Sequence, residues 1–157
     1  MTETLTKHEK TLSAAIHASA FSKFFIPFGN FLIPLVLWTA NKKEHAFVDY
    51  NGKQVLNFQI SLLLYSIILG IVSIPFFIGF FPDIFDFDPF GFHHLNDFNL
   101  NFDSDSFRFG SWLWPVGIAG LFQGALFVIN IVYTILATIR TNEGQTFEYP
   151  ITIKFIK

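Results

Sequence analysis

The sequence predicts an all-α integral membrane protein of three to four hydrophobic helices, and three observations support this fold class. Hydrophobic residues make up 52% of the 157-residue chain and charged residues 14%, against roughly 25% charged residues in a typical globular protein. The chain contains 23 Phe, which would leave a small water-soluble fold with exposed apolar patches. Residues 55–81 and 112–139 contain no charge and exceed the roughly 20 apolar residues needed to cross a bilayer. We expect one helical membrane domain over residues 1–157.

The first hydrophobic stretch, residues 12–40, is interrupted in its middle. Pro27, Gly29 and Asn30 lie together, and Pro34 follows. Proline removes a helical hydrogen bond and glycine loosens the backbone, so one straight helix is disfavoured. The sequence therefore predicts a broken helix pair over residues 12–40, with the break at residues 27–30. A single kinked span and a hairpin of two shorter helices both fit this pattern.

The positive charges favour a hairpin with both termini on one side. Lys and Arg are concentrated in the N-terminus, in the linker before residue 55 and in the tail after residue 139, whereas residues 82–110 hold only Arg108. Because cytoplasmic loops are enriched in Lys and Arg, we expect both termini in the cytoplasm. Residues 12–40 then cross an even number of times, with short re-entrant arms as an alternative.

Residues 82–110 form the expected extracytoplasmic (periplasmic or extracellular) loop, which is irregular and rich in Phe and Asp. The alternation at residues 98–102 is typical of a short strand or hairpin, and Trp112 and Trp114 mark the headgroup level before the helix at 112–139. Two groups of loop residues are candidate metal ligands: His93, His94 and Asp97, or Asp83, Asp86 and Asp88. Their spacing does not match a calcium-binding loop, so we predict no metal site.

The tail at residues 141–157 is predicted to lie in the cytoplasm. Asn142, Glu143 and Gly144 indicate a helix stop. After Pro150 the apolar residues recur at every second position, which favours an extended segment along the membrane surface.

Polar side chains within the apolar helices are the candidate functional residues, because an unpaired polar group in hydrocarbon costs several kcal/mol. Gln54, Asn57, Ser61 and Tyr65 share one helical face, as do Gln123, Asn130 and Thr134, and Gly120 with Gly124 permits close helix approach. We expect these faces to pack against each other. A polar path for a substrate and a partner-binding surface are the alternatives. The candidate packing or partner-binding residues are Gly29, Asn30, Asn57, Ser61, Gly120, Gln123, Gly124 and Asn130.

Several kinds of chemistry have no support in the sequence. The absence of cysteine removes disulfides and thiolate sites, and a net charge of -2 disfavours nucleic-acid binding. Phosphate-binding and nucleophile motifs are missing, so no cofactor is expected. His17 and Ser13 could be imagined as a catalytic pair, but no carboxylate stands at a supporting spacing. We therefore predict that the chain is not an enzyme.

Asp49 is predicted to cap the helix that follows it.

Four motifs carry a resemblance to a known family. They are FVDYNGKQVLNFQ at 47–59, IPFGN at 26–30, PLVLW at 34–38, and the tail from NEG at 142–144 through YPITIKFIK at 149–157. Together they resemble the bacterial membrane family called domain of unknown function 4870, which is grouped with the Tic-twenty component of chloroplast protein import. The resemblance covers nearly the whole chain except residues 82–110.

The resemblance implies a small multi-pass protein of the bacterial cytoplasmic (inner) membrane, with three or four helices and no catalytic residues. From it and from the helix faces we expect a non-catalytic accessory or interaction subunit of a larger membrane complex. Its partners would be the lipid bilayer, other membrane proteins and, as a further option, a second copy of the chain. A Tic-twenty-like role in transport or protein translocation, using the polar helix faces, is the alternative.

Overall fold

The computed structural model describes residues 5–43, 45–80 and 113–157, and within these ranges it is helical without strands. The elements are α1 (Lys7–Ala18), a 3-10 helix (Ser19–Phe24), α2 (Gly29–Asn41), α3 (Ala46–Phe80) and α4 (Leu113–Asn142). The predicted all-α class is confirmed at this level. The chain divides into two compact units, residues 1–66 with 125–157, and residues 67–124.

The predicted break in the first hydrophobic stretch is present as a turn between two helices. A capping box begins α1: Thr6 N–H donates to the Glu9 carboxylate at 2.7 Å, and Glu9 N–H donates to the Thr6 hydroxyl at 3.2 Å. The first of these bonds is the main reason why the pKa of Glu9 is lowered. At the turn, Phe28 adopts a left-handed backbone with φ 59°. A Cβ on Gly29 would lie 2.6 Å from the Ser22 hydroxyl oxygen, so this close approach requires glycine.

The helix predicted at residues 55–81 is longer in the structure. It begins at Ala46. The prediction started too late because residues 46–54 carry charges, which lower their hydropathy but do not prevent a helix. The prediction that Asp49 caps this helix is wrong: Asp49 lies within the first turn. Its backbone N–H already donates to the His45 carbonyl at 3.0 Å, and its side chain has other partners, described below.

The helix predicted at residues 112–139 spans Leu113–Asn142. It ends where the sequence indicates a stop, since Gly144 has φ 87° and its N–H donates to the Thr141 carbonyl at 2.9 Å. Two helical segments, Ala46–Ile74 and Gly117–Asn142, are long and apolar enough to cross a membrane, and only 39% and 11% of their most apolar windows is buried within the protein. Such exposed apolar surface is expected where lipid is the solvent.

The unit formed by residues 1–66 and 125–157 contains the apolar core. The largest of its fully buried side chains, Phe58, stacks on Tyr149 with ring centroids 4.1 Å apart, while Phe147 meets Tyr149 edge-on at 5.1 Å. The other buried apolar residues are Ile16, Ala20, Trp38, Val48, Val55, Leu56, Leu62 and Ala137. The core therefore joins α1, α2, α3, α4 and the tail.

The unit formed by residues 67–124 is described for its helical ends alone. Ile71 of α3 is 61% exposed and Leu121 of α4 is 76% exposed, as expected for lipid-facing side chains. The interpretations placed on residues 82–110 (the irregular loop, the strand at 98–102 and the metal-ligand groups) lie outside the described residues, as does the side-chain position of Trp112 and Trp114.

Candidate functional site

His17 lies at the centre of a buried polar cluster that joins α1, α3, α4 and the tail. Its Nδ1 is 2.8 Å from the Tyr149 hydroxyl and its Nε2 is 3.0 Å from Oδ1 of Asn51. The Asn51 amide nitrogen donates to the Phe47 carbonyl at 2.8 Å, and the Thr141 hydroxyl donates to Asn51 Oδ1 at 3.4 Å. His17, Asn51 and Thr141 are fully buried, so this cluster fixes how four elements meet.

The partners of His17 define a neutral imidazole. Since Asn51 Oδ1 can only accept, Nε2 carries the proton, and Nδ1 accepts from the Tyr149 hydroxyl. Burial lowers the pKa of His17 to about 4, opposed by the hydrogen bond to Asn51, because the charged imidazolium is costly away from water. Burial raises the pKa of Tyr149 for the same reason. Both ring nitrogens are engaged by uncharged groups, which suits helix packing more than proton transfer.

A second polar cluster joins α2, α3 and α4. The Asn30 amide donates to Gln59 Oε1 at 3.0 Å, and the Asn130 amide donates to the same oxygen at 3.2 Å. Asn130 Oδ1 accepts from the Thr134 hydroxyl at 3.3 Å; the Gln59 amide lies 3.5 Å from it, at the limit of a hydrogen bond. One buried glutamine therefore links two other helices through its carbonyl oxygen.

Asn57 binds the end of the tail through backbone groups. Its Oδ1 accepts from the N–H groups of Phe155 and Ile156 at 3.1 and 2.8 Å. Its amide nitrogen donates to the Ile156 carbonyl at 2.9 Å. One side chain thus bonds to three backbone groups, of which the Phe155 N–H has the Ile153 carbonyl as a second acceptor at 3.1 Å.

Ser61 and Tyr65 continue this binding along the same face of α3. The Ser61 hydroxyl oxygen accepts from Ile153 N–H at 2.8 Å, and the Tyr65 hydroxyl donates to the Ile151 carbonyl at 2.8 Å. From residue 57 to residue 65 the helix rises about 12 Å, and five extended residues reach at most about 17 Å. Residues 151–156 therefore run antiparallel to α3 with enough length for local turns: Ile151 has φ 54°, and the Phe155 N–H also donates to the Ile153 carbonyl at 3.1 Å. We call residues 151–156 the tail strap.

The tail strap corrects one expectation about the C-terminus. The alternating pattern predicted an extended segment along the membrane surface, but its backbone is bound to the polar face of α3. The reason is hydrogen bonding: an isolated extended segment leaves its N–H and C=O groups unpaired. The face of Asn57, Ser61 and Tyr65 provides the missing partners.

Trp38 anchors the end of α2 to the start of α3. Its indole N–H donates to Asp49 Oδ1 at 2.8 Å, and Lys53 pairs with the other carboxylate oxygen at 2.6 Å. The Lys42 ammonium lies 4.4 Å from the Trp38 ring centroid, within the range of a cation–π contact. The ring rests on Gly52, where an added Cβ would collide with it.

The predicted site residues are brought together in part. Asn30 and Asn130 meet through Gln59, and Asn57 and Ser61 act together on the tail strap rather than on α4. Gly29 forms the tight turn against Ser22. At Gly120 and Gly124 an added Cβ would meet no atom within 4 Å in the described part of the chain, and Gln123 lies between them on α4.

Sequence reasoning missed the roles of Gln59, Asn51, Trp38 and Tyr149. Gln59 and Asn51 stand within the motif at 47–59 at a spacing of eight, which places them on similar sides of the helix, and this spacing could have been noticed. The aromatic partners carried no comparable signal, because Trp and Tyr are common at membrane interfaces for other reasons.

Comparison with known protein families gives a match over residues 8–156 to the magnetosome magnetite crystal formation protein family. The match covers nearly the whole sequence. The chain belongs to this family. Comparisons with curated proteins and with solved structures give no match.

Membership of the magnetosome family overturns the resemblance to domain of unknown function 4870 and to the Tic-twenty component, which is wrong. The motifs that carried the resemblance serve packing in this structure: the motif at 47–59 holds Trp38, His17 and the tail strap. Such contacts constrain a helical fold and do not specify an activity. The Tic-twenty-like translocation alternative, which rested on that resemblance and on the polar helix faces, is not supported by the family match.

Three further observations concern metal ligands, the surroundings of His17 and the location of this magnetosome-family protein. Among the described residues, no group of three or more His, Asp or Glu side chains could hold a metal ion. His17 is oriented by two neutral groups, the Asn51 amide and the Tyr149 phenol. The family and the two apolar helices together indicate membrane localisation.

Proposed function

We propose that this chain is a non-catalytic, multi-pass accessory subunit of the magnetosome membrane that contributes to magnetite crystal formation. The observation that supports this most is the family match over residues 8–156. The apolar segments Ala46–Ile74 and Gly117–Asn142 support residence in a membrane. The two buried polar clusters and the tail strap support a rigid scaffold on which other parts of the chain act.

The proposal of a non-catalytic role rests on how the buried polar groups are used. His17, Asn51, Gln59, Asn57 and Asn130 each bond to other groups of the chain. A hydrogen-bonded interior of neutral amides and hydroxyls rigidifies a fold. It offers neither a nucleophile–base pair nor a charged relay.

The proposed topology has both termini in the cytoplasm and residues 82–110 on the opposite side of the membrane. The proposed partners are the lipid bilayer and other membrane proteins, including a second copy of the chain. The open positions at Gly120 and Gly124 on α4 allow close approach of a further helix.

The role in crystal formation is tested by removing the gene in its magnetite-forming host and restoring it at graded expression levels. We expect smaller or fewer crystals by electron microscopy in the deletion strain. A non-catalytic subunit acts in proportion to its amount, so crystal size should rise steadily with the quantity of protein in the membrane. Unchanged crystals in the deletion strain would exclude the proposed role, and full recovery at trace expression would contradict a non-catalytic one.

The partner proposal is tested by purifying a tagged chain in mild detergent. We expect membrane proteins or a second copy to co-purify in stoichiometric amounts and to be lost in a Gly120→Leu/Gly124→Leu double variant. Phe122→Ala is the matched control, because Phe122 is 58% exposed on another side of the same helix. Recovery of the chain alone in every detergent would argue against an interaction subunit.

A further inference from the structure

The hairpin formed by α1, the 3-10 helix and α2 has a charged base. Glu9 near the start of α1 contacts His45, just before α3, at 3.1 Å, and His8 meets the His45 ring edge-on at 6.0 Å. Lys42 and Lys43 follow the end of α2 directly. Both ends of the hairpin therefore meet at one polar level.

The opposite end of the hairpin is apolar and exposed. Phe24, Phe25, Ile26 and Phe28 are 53%, 88%, 48% and 70% exposed, and we call residues 24–28 the hairpin tip. Between Lys10 and Lys42 the sequence contains no formal charge other than Lys23. Four adjacent large apolar side chains at this exposure form a patch that water does not favour.

The hairpin tip lies beside the candidate membrane spans. Phe24 meets Phe127 of α4 edge-on with ring centroids 6.3 Å apart. Asn30, two residues after the tip, bonds to Gln59, which lies within Ala46–Ile74 and bonds in turn to Asn130 within Gly117–Asn142. The exposed surface of the tip is therefore continuous with apolar helices of spanning length.

The length of α2 decides how far the hairpin reaches. Its 13 residues rise about 20 Å, whereas the hydrocarbon core of a bilayer is about 30 Å thick. Trp38 contacts Asp49 and Asn30 contacts Gln59, so α2 runs back along the first part of α3 and returns the chain to its base. The arm is too short to cross and long enough to enter one leaflet.

We propose that residues 7–41 form a re-entrant hairpin whose tip, residues 24–28, inserts among the lipid acyl chains of one leaflet while its charged base stays at the surface of the same side. This proposal rests on the membrane residence proposed above and adds a specific lipid-binding element to it. The partner is the acyl-chain region of the bilayer, because the tip offers phenyl and branched alkyl groups.

Lys23 is the charge that the proposal must accommodate. Its ammonium lies 5.2 Å and 5.4 Å from the ring centroids of Phe24 and Phe127. Two aromatic faces attract a cation electrostatically, and the flexible lysine stem lets the ammonium reach toward the headgroups. A position within one leaflet allows this reach.

Depth measurements test the proposal on single-cysteine variants, since the native chain contains no cysteine. Phe25→Cys probes the tip, Lys43→Cys the base, and Leu121→Cys a candidate span. Phe25 and Leu121 are 88% and 76% exposed, so these substitutions remove few contacts. Each full-length variant carries a bimane fluorophore in phosphatidylcholine–phosphatidylglycerol vesicles with a nitroxide either on the headgroup or near the end of the acyl chain.

We expect the acyl-chain nitroxide to quench bimane at positions 25 and 121 more strongly than the headgroup nitroxide, with the reverse order at position 43. In sealed bacterial membrane vesicles, an impermeant maleimide should label Lys43→Cys from one side. The same reagent should label Phe25→Cys from neither side. Labelling of Phe25→Cys from the side of position 43 would show a surface-lying hairpin, and labelling from the other side a crossing one. Either result overturns the proposal. Stronger headgroup quenching at position 121 would instead overturn the membrane residence itself.

Discussion

Single residues at the junction of α2 and α3 have little room for change. Trp38 is held by its hydrogen bond to Asp49, by the ammonium of Lys42 above its ring and by the bare backbone of Gly52 beneath it. Gly70 lies in the same helix as Gly52, but an added Cβ there meets no described atom within 4 Å. Gly52 and Gly70 are thus both helical glycines, but Gly52 is packed against a side chain and Gly70 is not.

Replacement of Gly52 by Ala is expected to destabilise the protein by about 1–3 kcal/mol, because the new methyl group forces the Trp38 ring to shift in a packed site. Replacement of Gly70 by Ala should be neutral or stabilise by up to about 1 kcal/mol, since alanine is the better helix former. Thermal unfolding in detergent micelles measures both. Equal effects of the two substitutions would show that Trp38 does not depend on Gly52.

His17 makes the stability depend on pH. Its pKa is about 4 in the folded protein, against an ordinary value of 6.5, so the unfolded chain binds the proton first and acid favours unfolding. Stability is fully present above pH 6.5 and falls as the pH drops toward 4, at about 1.4 kcal/mol per unit. By about pH 5 the loss is about 2 kcal/mol on this basis.

The unfolding temperature measured from about pH 7 to about pH 5 checks this expectation. A His17→Gln variant keeps a polar side chain without a titrating group, so its curve should be flatter than that of the native chain. Parallel curves for the two proteins would assign the acid sensitivity to other groups.

At the scale of secondary structure, the sequence was informative wherever a signal is local. The break at residues 27–30, the apolar parts of α3 and α4 and the stop after Asn142 follow from proline, glycine and hydropathy. The hydrogen-bond partners of the polar faces could not be predicted from the sequence. Asn57 and Ile156 are separated by 99 positions, and a side-chain amide can bond to many different donors and acceptors. The start of α3 was missed because its first turns are polar.

The tail strap is expected to depend on Asn57. An Asn57→Leu variant removes the Asn57 acceptor of the Ile156 N–H and one of the two acceptors of the Phe155 N–H. The loss of an acceptor costs about 1–3 kcal/mol for a buried hydrogen-bonding group. We expect faster hydrogen exchange at the amides of residues 153–156 and earlier cleavage of the tail by carboxypeptidase.

Ser73→Ala is the matched control for Asn57→Leu, because the Ser73 hydroxyl donates to the Leu69 carbonyl of its own helix at 2.6 Å. This variant should leave exchange in the tail unchanged. Unaltered exchange in Asn57→Leu as well would mean that Ser61 and Tyr65 hold the tail strap without it.

At the scale of the whole molecule, three chain segments converge within the unit of residues 1–66 and 125–157. Glu9 near the N-terminus contacts His45 of the linker. The Lys10 side chain lies against Gly144, where an added Cβ would come within 2.7 Å of its Cε. The start of α1, the linker before α3 and the segment after α4 therefore lie at one level of the protein. The positive charges of these three segments are therefore expected on the same side of the membrane.

Cysteine accessibility tests this convergence. Lys7, Lys43 and Thr146 are exposed, whereas Ser13 is fully buried and unsuitable as a probe. We expect single cysteines at positions 7, 43 and 146 to react with an impermeant maleimide from the same side of the membrane, because the contacts of Glu9 and Lys10 hold these segments together. Under the proposed topology, a cysteine at position 104, between the two candidate spans, should react from the other side. Labelling of position 7 from the side opposite to 43 and 146 would require residues 12–40 to cross once, which is incompatible with the contact between Glu9 and His45.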